Sequence, residues 1–233
     1  PEPFGEERWS MEENRKAYLF IAIGRTMGAG GSFVGRRLAT RLGCRYLDRE
    51  LLIEAAKRLH QDPEALEDFD ERHLSFWERT RMAYAFGAAD SIYTPPPVMV
   101  DDMELFETQK VVLREAAEKG PAVIVGRAGF AILRGQPGLL SVFLHAPLEV
   151  RAERIQKIYK LGSLAEAKEM VVQSDRQRER FIRAASGLDW RDPQNYHLCV
   201  DTARLGTAET IELIYGAAME VARGLLGSKE EQF

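Results

Sequence analysis

Short, continuous apolar runs alternate along the chain with longer stretches in which apolar residues recur every three or four positions. The runs Tyr18–Ile23, Cys44–Leu47, Ala122–Val125, Leu139–Leu144 and Tyr196–Val200 read as strands. Several lack polar alternation and are rich in Val, Ile or Leu, as strands covered on both faces by helices are. Helical spacing covers Ser32–Leu42, Arg49–Leu59, Met103–Glu118, Leu148–Tyr159, Leu164–Ala185 and Thr207–Leu225. Pro147 suits the first turn of its helix, and Ser163 with Glu166 forms a capping box for the next. This alternation predicts an α/β domain.

One interval breaks the rhythm. About seventy residues separate the second strand from the third, far more than a strand-to-helix connection needs. Asp62-Pro63 can start a short helix, Trp77 to Phe86 has helical apolar spacing, and Pro95-Pro96-Pro97 then forces an extended connection. The stretch reads as a helical insertion over a site rather than a second domain.

Composition narrows the class. The 233 residues are 45% hydrophobic with a net charge of -4, which excludes a disordered chain and an overall basic nucleic-acid binder. Two cysteines, Cys44 and Cys199, are too few for a disulfide scaffold and read as small core residues of a reduced compartment. No run approaches a membrane span, and Pro1 to Lys16 is too acidic and polar for a signal peptide, so a cytoplasmic protein with no membrane or nucleic-acid partner is expected. The mild total conceals a contrast: Arg127 to Arg191 holds 12 Lys+Arg against 7 Asp+Glu. His60, His73, His145 and His197 show no metal or triad spacing.

The chemistry concentrates after the first strand, where Gly24, Gly28, Gly30 and Gly31 fall within eight positions ahead of a helix. A tight turn needs fewer. Backbone N–H groups of Gly28, Ala29, Gly30, Gly31, Ser32 and Phe33, together with the helix dipole, suit a phosphate. In the pattern GxxxxGK[ST], Gly30 is the second glycine and Ser32 the Mg²⁺-binding hydroxyl, but Gly31 stands at the lysine and Arg25 at the first glycine. A dinucleotide fingerprint from Gly28 fails at Phe33. Arg25 either supplies the missing positive charge or falls short of the same oxygen. Asp48, ending the second strand, either orients Mg²⁺ or the acceptor, or caps the helix at Arg49. On the helix Leu164–Ala185, Arg178 shares an apolar stripe with Val171, Ile182 and Ala185 and needs a partner. That partner is either phosphate or Asp175. Arg176, Arg180 and Arg183 lie on another face, a ligand-facing or a solvated one, with Arg176 the stronger candidate.

In this order, IGRTMGAGGSFVGRRLA (Ile23–Ala39), YLDRELL (Tyr46–Leu52), IVGRAG (Ile124–Gly129), FLHAPLEVRAERI (Phe143–Ile155), SDRQRERF (Ser174–Phe181) and DPQNYHLCVDT (Asp192–Thr202) resemble the cytidylate kinase-like proteins, a branch of the P-loop nucleoside monophosphate kinases. The resemblance implies a P-loop NTPase-type three-layer fold with a parallel five-stranded sheet in the order 2-3-1-4-5. A single domain over 18–226 would carry an acceptor-binding insertion at about 60–102 and a lid at about 154–192, between an extension (1–17) and a tail (227–233). It implies an ATP- and Mg²⁺-dependent transfer of the γ-phosphoryl to a nucleoside monophosphate, CMP or dCMP first. Ser32 and Asp48 would serve the metal, Arg127 the acceptor phosphate, Arg151 and Arg154 the nucleotide phosphates, and Asp201 and Thr202 the base-side wall. This branch resembles one with glycine at the lysine position. Ala128 stands where classical cytidylate kinases have Asp, which weakens the case for cytidine and keeps open a regulatory nucleotide-binding module with little or no turnover. The implied strand order puts Cys44 and Cys199 at opposite edges, about 19 Å apart at ordinary strand spacing, too far to pair.

Overall fold

The computed structural model describes residues 18–48, 102–126 and 128–227. In chain order these form β1 (Phe20–Arg25), α1 (Gly31–Leu42), β2 (Arg45–Leu47), α2 (Asp102–Glu118), β3 (Ala122–Val125), α3 (Gly129–Ile132), β4 (Leu139–His145), α4 (Leu148–Tyr159), α5 (Leu164–Ser186), β5 (Leu198–Asp201) and α6 (Thr207–Gly227). The expected helix from Arg49, the insertion, the N-terminal extension and Arg127 lie outside the described residues.

The five strands form one parallel sheet in the order β2-β3-β1-β4-β5, as the resemblance implied. Alternate residues of each strand enter different cores. Ile21, Ile23, Val123, Val125, Leu140, Val142 and Leu144 meet Val34 and Leu38 of α1 and Ile214 and Ala218 of α6. Phe20, Ala22, Ile124, Leu139 and Phe143 meet Phe106 of α2, Phe130 of α3 and Phe181 and Ile182 of α5. A third cluster joins Ala152 and Ile155 of α4 to Ala167, Met170 and Val171 of α5, around Met27.

Element boundaries moved where packing outvotes local pattern. β1 runs on through Gly24 and Arg25, which pair with Phe143 and Leu144 of β4. Tyr196 leaves β5 to bury its ring beside Phe130 and Phe143. The four-residue α3 was not anticipated, being too short to show a period. The expected capping box is half realised as drawn: Ser163 Oγ accepts from Glu166 N–H at 3.1 Å, while the Glu166 carboxylate accepts from Gly162 N–H. The cysteine expectation needs correction. Cys44 is half-buried, but Cys199 is exposed, because β5 is an edge strand with only Val200 fully buried. Both thiols are free, and burial raises the pKa of each.

Candidate phosphate-binding site

The loop between β1 and α1 is wound tightly: Ala29 N–H donates to Thr26 O, and Gly28 and Gly30 take φ of 80° and 84°. Those left-handed angles suit glycine. Gly30 is the N-cap of α1 and, as a glycine, supplies no side-chain cap of its own. The first-turn N–H groups of Gly31, Ser32 and Phe33 stand at the positive end of α1, an arrangement that suits an anion. Ala29 is fully buried beneath the loop, while Phe33 is half-exposed with the Arg37 guanidinium over its ring.

The loop is held at Met27. Asp175 of α5 accepts the Met27 N–H at 2.9 Å, and Arg151 of α4 donates to the Met27 carbonyl at 3.1 Å. Arg151 also donates to Asp175 at 2.7 Å and to Ala146 O at 2.8 Å. Its guanidinium is thus turned inward, bonded to the loop and to α5, whereas the resemblance implies a role at the nucleotide phosphates. Asp175, 2% exposed, gathers two further cations, Arg178 at 3.6 Å and Arg191 at 3.9 Å. Sequence reasoning cast Asp175 only as an alternative partner for Arg178. Its signal was present: Asp175 lies four residues after Val171 and three before Arg178, on the same apolar stripe.

On one flank, Arg154 donates to Gly28 O at 3.2 Å and to both oxygens of Thr202, at 3.0 and 3.1 Å. This joins three sequence candidates on the β5 side of the loop. Asp201, beside them, spends its carboxylate on the N–H groups of Ala203 and Arg204 and so shapes the turn into α6. On the other flank, Asp48 accepts from Tyr46 OH at 2.8 Å and from Ser32 Oγ at 3.5 Å, with Arg25 at 4.0 Å. The carboxylate faces the loop. Burial first, and Asp48 second, push the Tyr46 phenol up to about 12. Ser32 and Asp48 bring a hydroxyl and a carboxylate together, hard oxygen donors of the kind Mg²⁺ takes alongside phosphates and water.

Beyond Arg25 a cleft opens at the carboxyl ends of β1 and β3. Arg25 and Arg178 line it with Gly126, Phe130, Trp190 and Tyr196. Ala128, also in its wall, holds φ at 51°, a costly angle for a residue with a Cβ and one that concentrates at functional sites. Arg127 falls between two lining residues but outside the described ones. Arg178 meets the ion-pair reading, 3.6 Å from Asp175, and its residue also lines the cleft. Arg176 does not join them: it is exposed and lines a surface groove of α5 with Gln173 and Arg180. No group of three or more His, Cys, Asp or Glu able to hold a metal occurs among the described residues, and no described helix is long and apolar enough to cross a membrane.

The sheet order and the helices around it define a P-loop kinase fold, with the glycine loop and its flanking arginines at the carboxyl edge of the sheet. Residues 20–204 match the model of the Cytidylate kinase-like family, and the chain belongs to that family, among kinase-like phosphotransferases. It is 28% identical over 207 residues to the cytidylate kinase of Methanopyrus kandleri, covering 85% of this chain and 92% of that one. It is 23% identical over 202 residues to the cytidylate kinase of Methanocaldococcus jannaschii, covering 85% and 97%. An uncharacterized protein from Eubacterium ventriosum has a crystal structure that superposes with a TM-score of 0.62 at 21% identity, over 86% of this chain and 98% of that one. This last match speaks for the fold.

Proposed function

We propose that the protein transfers the γ-phosphoryl of ATP to a nucleoside monophosphate, with CMP or dCMP the first acceptor to test. The observation that carries this is the juxtaposition of an uncapped glycine loop with a second, arginine-lined cleft at the same sheet edge. Such transfer asks the protein mainly to position two anions and neutralise developing charge. The backbone N–H groups of residues 28–33 receive the donor phosphates, and Arg154 with Thr202 forms the base-side flank. Ser32 and Asp48 would hold Mg²⁺, which when bound supplies charge neutralisation between donor phosphates. Arg178, with Arg127 and the insertion at about 60–102, receives the acceptor phosphate. The α4–α5 lid, tied to the loop through Met27, excludes water. The kinase names of the archaeal relatives support the same reaction for this chain.

A second reading, nucleotide binding without turnover in a regulatory role, is favoured by one feature, glycine at the lysine position 31. Incubation with ATP and Mg²⁺ and a panel of nucleoside monophosphates separates the two. ADP plus a nucleoside diphosphate is expected. Tight ATP binding with no transfer to any acceptor would favour the regulatory module.

A further inference from the structure

The side chain of Arg25 occupies the space into which a residue at position 31 would grow. A Cβ built on Gly31 would stand 2.7 Å from Arg25 Cγ and 3.0 Å from Arg25 Cβ, distances at which the base of the arginine, not its mobile end, would have to move. Farther out, a Cβ on Gly126, itself at φ 73°, would overlap Arg25 Nη1. The arginine therefore runs from the end of β1 across the first residue of α1 and over the end of β3. There its guanidinium faces the cleft shared with Arg178, with Asp48 4.0 Å away. Its side chain is only 12% exposed. In the ordinary P-loop the lysine at position 31 reaches the terminal donor phosphates from the helix start.

We infer that Arg25 is the loop cation of this protein, delivering from β1 the charge that other P-loops deliver from the first turn of the helix. Gly31 and Gly126 are small so that it can pass. The inference rests on the phosphotransferase reading and adds a role to it. The lysine cannot simply be restored, because Gly31→Lys would drive its own Cβ into Arg25. Loss of the arginine, by contrast, opens the path for a lysine at 31. Arginine also gives a planar, permanently charged donor fork at the junction of the two phosphate sites, where it can bond two oxygens at once.

The experiment is reciprocal complementation, read by titrating a fluorescent ATP analogue with ATP as competitor, by kcat, and by thermal unfolding. Arg25→Ala should weaken ATP binding at least tenfold and lower kcat on the order of a hundredfold, the scale of losing one preorganised donor. Gly31→Lys alone should be impaired to a similar degree. The double variant Arg25→Ala/Gly31→Lys should recover at least tenfold over either single. Arg25→Ala/Gly31→Met, matched in bulk but uncharged, should not recover. The inference is overturned if Arg25→Ala binds ATP within threefold of the parent protein. It is equally overturned if the lysine double recovers no better than the methionine double while both unfold like the parent. If the parent protein transfers phosphoryl to no acceptor, the functional reading fails, and the ATP titrations alone still decide the role of Arg25.

Discussion

On the face of the sheet covered by α1 and α6, β1 offers Ile21 and Ile23 to an aliphatic core of Val, Leu and Ile that closes up to Leu144 at the carboxyl edge. On the face covered by α2, α3 and α5, the same strand offers Phe20, then Ala22, then Gly24, so its side chains shrink toward the carboxyl end. Rings from elsewhere compensate: Phe130, Phe143, Trp190 and Tyr196 pack against one another at centroid distances of 4.8 to 5.6 Å. The filling is incomplete at the edge, and the remaining cleft is where Arg25 and Arg178 emerge. One face holds the sheet together. The other combines packing with an open cleft.

Substitution of Trp190 should break that pairing of roles most severely. Its side chain is 3% exposed, packs edge-on to Phe143 at 5.6 Å and lines the cleft. Trp190→Ala should cost about 3–5 kcal/mol in urea unfolding and raise the KM for the acceptor while leaving that for ATP near its parent value. Equal changes in the two KM values would erase the distinction between cleft and loop. Leu38, fully buried in the aliphatic face, provides the counterpart. Leu38→Ala should cost about 3 kcal/mol and leave both KM values unchanged wherever the protein stays folded.

The two faces were unequally legible in the sequence. The aliphatic one follows from continuous apolar strands and from the period of α1 and α6, signals carried within single elements. The aromatic one depends on residues such as Phe130, in a helix of only four residues, and Trp190, outside any regular element, so no period pointed to them. The site divides similarly. Gly28, Gly30 and Ser32 were readable because a loop motif is local, and Asp48 because a strand end is. The resemblance implies a phosphate-facing Arg151, whereas its inward turn depends on Asp175, 24 residues later. A partnership across two helices leaves no trace in spacing. Resemblance supplied the strand order, which periodicity alone does not give.

A smaller perturbation tests how the rings are tied. The Tyr196 hydroxyl donates to Trp190 O at 2.7 Å within the buried cluster, and burial raises its pKa well above the ordinary tyrosine value. Tyr196→Phe keeps the ring and leaves that carbonyl without its donor. A loss of about 1–2 kcal/mol is expected, with a rise in acceptor KM smaller than that of Trp190→Ala. An unfolding curve identical to the parent's would show that ring packing alone positions the Trp190 segment.

The aliphatic face carries tyrosines of its own, and at one of them, Tyr46, the effect should be the smallest. Tyr46 packs at the margin of that core and donates to Asp48 at 2.8 Å; burial first, and the neighbouring carboxylate second, move its pKa from the usual 10.0 to about 12. The folded state thus favours the neutral phenol. With the folded value above the unfolded one, this contribution to stability is fully present below about pH 10 and fades as pH rises toward 12. Tyr46 is only half-buried, so solvent screening keeps the effect modest. A titration of tyrosinate absorbance should show a phenol ionising near 12, beyond the ordinary tyrosines, and Tyr46→Phe should remove that step and flatten the alkaline loss of stability between about 10 and 12. Were the step to survive in Tyr46→Phe, the phenol would not be held against Asp48. The carboxylate beside Ser32 would then lack the donor that fixes its orientation toward the loop, and the Ser32–Asp48 flank would be no more ordered than the cleft opposite.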